Sequence, residues 1–149
     1  MRVWLASQST RRAEMLTQIF SDLTCRANNS IDENSSAKEV SGQVLEICQK
    51  KAAAVEIDNG YDLVVVSDTM LQDPDVDTLA MGKANDAIEA AAMLHRLSGR
   101  RHRVWTATGI LFEGRWEFHL NQAIVEFDNL TDEVLVELVL NDSWVGKAG

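Results

Sequence analysis

Proline, cysteine and tyrosine are scarce in this 149-residue chain: one proline, two cysteines and one tyrosine. Cys25 and Cys48 fall in no metal-ligand or redox spacing, so they are expected to be free thiols in a reducing cytoplasm. No apolar run approaches the length of a membrane-spanning helix. The first residues also lack the succession of charge, apolar stretch and cleavage site that marks a signal peptide, so a cytoplasmic protein with no membrane partner is expected. Positive charge is in deficit as well. Fourteen Lys and Arg face 23 Asp and Glu, for a net charge of −9. That balance argues against a general nucleic-acid binder, which needs a basic face to neutralise phosphates. It leaves room for a small anion held by a few clustered cations.

What is present reads as one globular α/β domain, with 46% apolar and 25% charged residues. Residues 2–6 suggest a short buried strand. Ala13, Leu16, Ile19 and Phe20 recur at helical spacing after Ser9, a natural N-cap. "RANNSIDENSSAKE" reads as a loop, and helical periodicity returns from Val40 to Val55. "YDLVVVSDT" has the β-branched composition of a buried strand, and "QDPDVD", which holds Pro74, that of a hairpin tip. A third helix is expected from Asn85 or Asp86 to a C′ glycine, Gly99. "HRVWTATGILF" and "RWEFHLNQAIVEF", flanking "EGR", suggest an antiparallel pair, and Thr131 a cap for a last helix begun by Asp132 and Glu133.

The chemistry-bearing residues start with "LASQSTRR". Arg11 and Arg12 stand where a helix begins, although the positive end of the helix dipole makes a cation there unfavourable by about 0.3–1 kcal/mol. A strand-to-helix loop also presents unpaired N–H groups to an anion, and the hydroxyls of Ser7 and Ser9 can donate to phosphate oxygens. Either the arginines complete such an anion site, or they point to solvent and pair with Glu14 and other acids. Asp68, ending "VVVSD", can bind a divalent cation or take a proton from water, or it is a turn carboxylate. Lys51 and Lys83 can reach a polyphosphate or sit in solvent, and Asp32 and Glu33 offer loop carboxylates for Mg2+. "DPDVD" lacks the glycine and glutamate of a calcium loop, and His95, His102 and His119 have no metal spacing. "RLSGRRHR" reads as a helix end and strand start.

In this order, "LASQSTRRAEML", "IDE", "QKKAAA", "VVSDTM", "MGKANDAIEAAAMLHRLSGRRHRVWTATGI" and "GKAG" resemble the Maf family of nucleoside triphosphate pyrophosphatases over nearly the whole chain. The resemblance implies an elongated mixed sheet flanked by helices, similar to the inosine triphosphatase (Maf/Ham1-like) fold. It implies metal-assisted hydrolysis, with Mg2+ or Mn2+, of a nucleoside triphosphate to monophosphate and pyrophosphate, a homodimer, and a link to septum formation. By motif match, Ser7, Arg11, Arg12, Lys51 and Lys83 bind phosphates, Glu33 and Asp68 lie in the metal region, and Asp68 is catalytic. Thr69 and Lys147 look like the substrate-binding residues of the branch acting on dTTP and UTP, in which the sister branch for 7-methyl-GTP differs. Thr10 and Ala84 stand where the family has proline. The family pattern continues past "GKAG" into a further C-terminal segment, so residues 1–149 are expected to form a single Maf-like domain lacking it. That expectation leaves a second reading open: a non-catalytic nucleotide-binding or regulatory protein.

Overall fold

The computed structural model describes residues 1–28, 30–57 and 60–147. The elements, in chain order, are β1 (Val3–Leu5), α1 (Thr10–Thr17), β2 (Leu23–Cys25), α2 (Val40–Ala53), β3 (Leu63–Gln72), β4 (Ala80–Met81), α3 (Ala87–Leu97), β5 (Arg101–Phe112), β6 (Arg115–Glu126) and α4 (Asp132–Leu140). They build a six-stranded mixed sheet in the order β2-β1-β3-β5-β6, with β4 paired to β3. β1 is parallel to both neighbours, whereas β3 and β4 are antiparallel. No helix among the described residues is long and apolar enough to cross a membrane.

Two compact units divide the chain. The first comprises Met1–Ala37, Gly42–Asp68 and Thr106–Leu120. Its core gathers Val3, Leu5 and Val65, against which Ala13, Leu16 and Phe20 from the α1 region pack with Leu23 and Leu63. α2 turns Val44, Ile47, Cys48 and Ala52 inward, all nearly or fully buried, at the three- and four-residue spacing of one helix face. Between these layers, Val64, Val65, Val66 and Ser67 of β3 are buried in succession, as expected of a strand covered on both faces.

The second unit comprises Lys38–Ser41, Thr69–Trp105 and Asn121–Gly149. α3 packs on α4 and buries Ala90 and Leu97. Asp86 caps α3 and Thr131 caps α4, each accepting a backbone N–H three residues on. Gly99 sits at φ +65°, the left-handed conformation glycine adopts without a Cβ penalty, and its N–H donates to Asp128 O at 3.0 Å. Buried Asp73 receives a two-pronged contact from Arg96, at 2.9 Å from Nε and 2.8 Å from the Nη2 group. That carboxylate also accepts the N–H groups of Asp75 and Val76, which pins the "QDPDVD" hairpin tip.

Two elements depart from the sequence reading. β2 was not anticipated, because three residues are too few to display a period-two pattern. β3 runs to Gln72 rather than stopping at Thr69, because Leu71 and Gln72 pair with Met81 and Ala80. Asp68 therefore lies within a strand and is not a turn residue. Cys25 and Cys48 are both free thiols.

Candidate active site

The loop leaving β1 is placed by the parallel pairing of β1 with β3. Val3, Trp4 and Leu5 lie beside Leu63, Val64 and Val65, and Ala6 N–H donates to Val65 O at 2.9 Å. Ser7 follows at once, near the carboxyl ends of the parallel strands β1 and β2, where α/β folds assemble ligand sites. Ser9 then caps α1, its Oγ accepting Arg12 N–H at 3.4 Å. Ser7 Oγ accepts from Ser9 N–H and from the Arg12 guanidinium, both at 3.2 Å. Both contacts use the oxygen as acceptor, which leaves the hydroxyl proton to be donated.

Arg12 is half-buried and Arg11 exposed. Burial lowers the Arg12 guanidinium below its ordinary value, and the attraction of Asp68 opposes that change while neighbouring Arg11 adds to it. A desolvated cation held next to a second cation is an unfavourable arrangement on its own and a favourable one once an anion is present.

Lys51 arrives from α2. It continues the inward stripe of that helix one turn beyond Cys48, whose Sγ lies 4.0 Å from Val66 O. Three residues on along the helix and two on along β3, Lys51 Nζ meets Asp68 Oδ1 at 2.6 Å. The same ammonium lies 3.2 Å from Glu33 Oε1. Lys51 and Asp68 are largely shielded, with side chains 19% and 15% exposed, whereas Glu33 is open at 64%. Cys48, buried beside this group, has its thiol pushed up to about 11 by burial and by the charge of Asp68, so at neutral pH it is packing and not a nucleophile.

Six of the residues singled out from sequence thus belong to the first unit: Ser7, Arg11, Arg12, Glu33, Lys51 and Asp68. Thr69, Lys83 and Lys147 belong to the second. Thr69 is half-buried on β3, and Lys83 is exposed between β4 and α3. Lys147 lies on the wall of a groove of about 360 Å³ formed with Leu97, Phe127, Leu138 and Trp144. The last two residues of "GKAG", Ala148 and Gly149, lie outside the described residues. Asp32 does not join the group: its Oδ1 accepts from Asn34 N–H and Nδ2 in a local turn. Sequence reading overlooked Asn28, which donates to Lys51 O at 2.6 Å, and Glu46 and Lys50, which hold the loop after Glu33. An i,i+4 Glu–Lys pair gave no hint of that role.

Among the described residues no three His, Cys, Asp or Glu side chains cluster to hold a metal. Two carboxylates, Glu33 and Asp68, do flank one ammonium group. That donor set fits Mg2+, which takes one or two carboxylates and completes its shell with water and substrate phosphates.

Comparison with known proteins assigns the chain to a family. The family model described as Maf-like protein matches residues 2–149. The chain belongs to that family. It is 33% identical over 145 residues to a protein of Pyrococcus abyssi named dTTP/UTP pyrophosphatase, covering 97% of this chain and 75% of the relative. A protein of the same name from Caldanaerobacter subterraneus is 37% identical over 152 residues, covering 100% and 72%. In fold, this Maf-like protein is similar to a HAM1 protein from Coxiella burnetii, with a TM-score of 0.53 at 11% identity over 85% of this chain and 72% of that one. The Ham1 protein of Staphylococcus aureus gives 0.52 at 14% identity, over 84% and 70%.

Proposed function

We propose that this Maf-like protein hydrolyses nucleoside triphosphates, with dTTP and UTP as preferred substrates, to the monophosphate and pyrophosphate. The observation that carries the reading is that Asp68 meets the Lys51 ammonium and attracts the Arg12 guanidinium, which itself reaches Ser7, with Glu33 on the same ammonium. Attack of water at the α-phosphorus forms one P–O bond and breaks the bond to the β-phosphate oxygen, so pyrophosphate departs with growing charge. Ser7, Arg11 and Arg12, at the N-terminus of α1, bind and orient the phosphates, and Lys51 opposes the developing charge. Asp68 holds the attacking water and takes its proton. Glu33 and Asp68 are the residues that would hold Mg2+ or Mn2+, which supplies further neutralisation of phosphate charge when bound. Thr69, Lys83 and Lys147 are assigned substrate contacts on the family resemblance, and the working form is taken to be a cytoplasmic homodimer in keeping with the two free thiols and the family.

A pyrophosphate-release assay over a nucleotide panel tests this. Pyrophosphate and not orthophosphate is expected from dTTP or UTP with Mg2+ or Mn2+, and no release above a buffer blank by folded protein overturns the reading. Asp68→Asn is expected to lower kcat by about 10²–10⁴-fold, the worth of a positioned base, while nucleotide still raises Tm.

A further inference from the structure

The segment after Glu33, Asn34 to Ala37, carries no large apolar side chain and so has nothing to anchor it in the core. α2 holds it instead through charge. Glu46 accepts from Ser35 Oγ at 2.7 Å, Ser36 N–H at 3.2 Å, Ser36 Oγ at 3.3 Å and Ala37 N–H at 3.2 Å. Lys50, 3.4 Å from Glu46, donates to Asn34 O at 2.6 Å. Four consecutive loop residues are therefore gripped by one Glu–Lys pair, whose lysine directly precedes the one that meets Glu33 and Asp68. These hydrogen bonds, led by that from Ser35, hold the Glu46 carboxyl down to about 2, so it stays ionised across the working pH range.

We propose that Glu46 is a positioning residue: through residues 34–37 it fixes Glu33 against Lys51 and Asp68, and so sets the affinity of the site for a divalent cation with nucleotide. This rests on the pyrophosphatase reading above. The grip acts only on the Glu33 side. Ser7 is carried by the β1–α1 loop and Arg11 and Arg12 by the first turn of α1, and they do not depend on it.

Glu46→Gln tests the inference because it keeps the side-chain size but removes the charge behind the Ser35, Ser36 and Ala37 contacts and sets an amide NH2 where a carboxylate oxygen faced Lys50. Hydrogen exchange of residues 33–37 is expected to quicken, and Mn2+ affinity, titrated calorimetrically with nucleotide present, to fall about tenfold, as for loss of an outer-shell partner. KM for nucleotide at saturating metal is expected to move less than about twofold, since the phosphate-binding loop is untouched. Faster exchange with unchanged Mn2+ affinity overturns the proposal, because the grip is then structural only; unchanged exchange overturns it too. If Glu46→Gln does not fold, Lys50→Met, which removes the Asn34 contact and the pairing with Glu46 but leaves the Glu46 hydrogen bonds to residues 35–37, is expected to lower Mn2+ affinity about threefold in the same assay, and no change there overturns the idea. Exchange and calorimetry need no turnover. A wild type that releases no pyrophosphate therefore sinks the pyrophosphatase reading without deciding this one.

Discussion

Lys51 holds two carboxylates with one charge, and Lys51→Met removes that charge while keeping an unbranched side chain in the same space. Asp68, 15% exposed, loses a partner 2.6 Å away, whereas Glu33, 64% exposed, can be rehydrated. The cost therefore falls mainly on Asp68, and leaving one shielded charged group unsatisfied costs about 1–3 kcal/mol. For a chain of this size, a loss of about 2 kcal/mol lowers Tm by about 4–8 °C. The variant also turns a trio of net charge −1 into two adjacent acids, which is what a divalent cation requires.

Mn2+ without nucleotide should then stabilise the variant more than the wild type. At tenfold excess over its dissociation constant the gain is about 1.4 kcal/mol, and at that level Tm recovers by about 3–6 °C. In the wild type the ammonium already occupies the acids, and the Mn2+ response should stay below about 1 °C. Thermal unfolding of both proteins with and without Mn2+ decides the matter, and the double variant Lys51→Met, Asp68→Asn should lose the response. Equal Mn2+ shifts in variant and wild type, or a variant as stable as wild type without metal, would refute the account of Lys51 as the counter-ion of this pair.

Two further outcomes concern stability. At Gly109, on β5, an added Cβ would lie 2.8 Å from both Phe118 Cε1 and the fully buried Val66 Cγ2. Gly109→Ala should therefore cost about 1–3 kcal/mol in urea denaturation, and a change under about 0.5 kcal/mol would mean that β3 and β6 yield easily there. Acid should act in two stages. Burial lowers His102, whose Nδ1 has no hydrogen-bond partner among the described residues, so the unfolded chain binds the proton more readily and stability declines as pH falls below about 6.5. Glu46 and Asp73, each held down to about 2, add a second decline as pH falls from about 4.5 toward 2, because their stabilisation is complete only above their unfolded values. His102→Phe should flatten the first decline and leave the second.

The elements that could be read from sequence are those whose signals are local. Ser9, Asp86 and Thr131 each cap the helix they announce, because an N-cap is decided within three residues. The end of β3 could not be read, because its last residues are held by strand pairing with Ala80 and Met81 across the hairpin. The site divides in the same way. Residue types and order pointed to Arg12, Lys51 and Asp68 individually. That one ammonium bridges Asp68 and Glu33 depends on how α2 lies along β3, a matter of packing that no spacing in the sequence contains. Glu46 was hidden for a different reason: on paper it pairs with Lys50, and only the fold turns both toward "NSSA".

The three helices with defined N-caps also explain the two arginines at the start of α1. α3 has Glu89 in its first turn and α4 has Asp132 and Glu133, so this acidic chain follows the dipole rule where a helix only has to fold. α1 has the same kind of cap but no acid in its first turn, and it places Arg11 and Arg12 there instead. Burying Arg12 next to Arg11 raises the cost further, and the attraction of Asp68 offsets it in part. On the proposed reading, these cations serve a multiply charged anion across the N-terminus of α1.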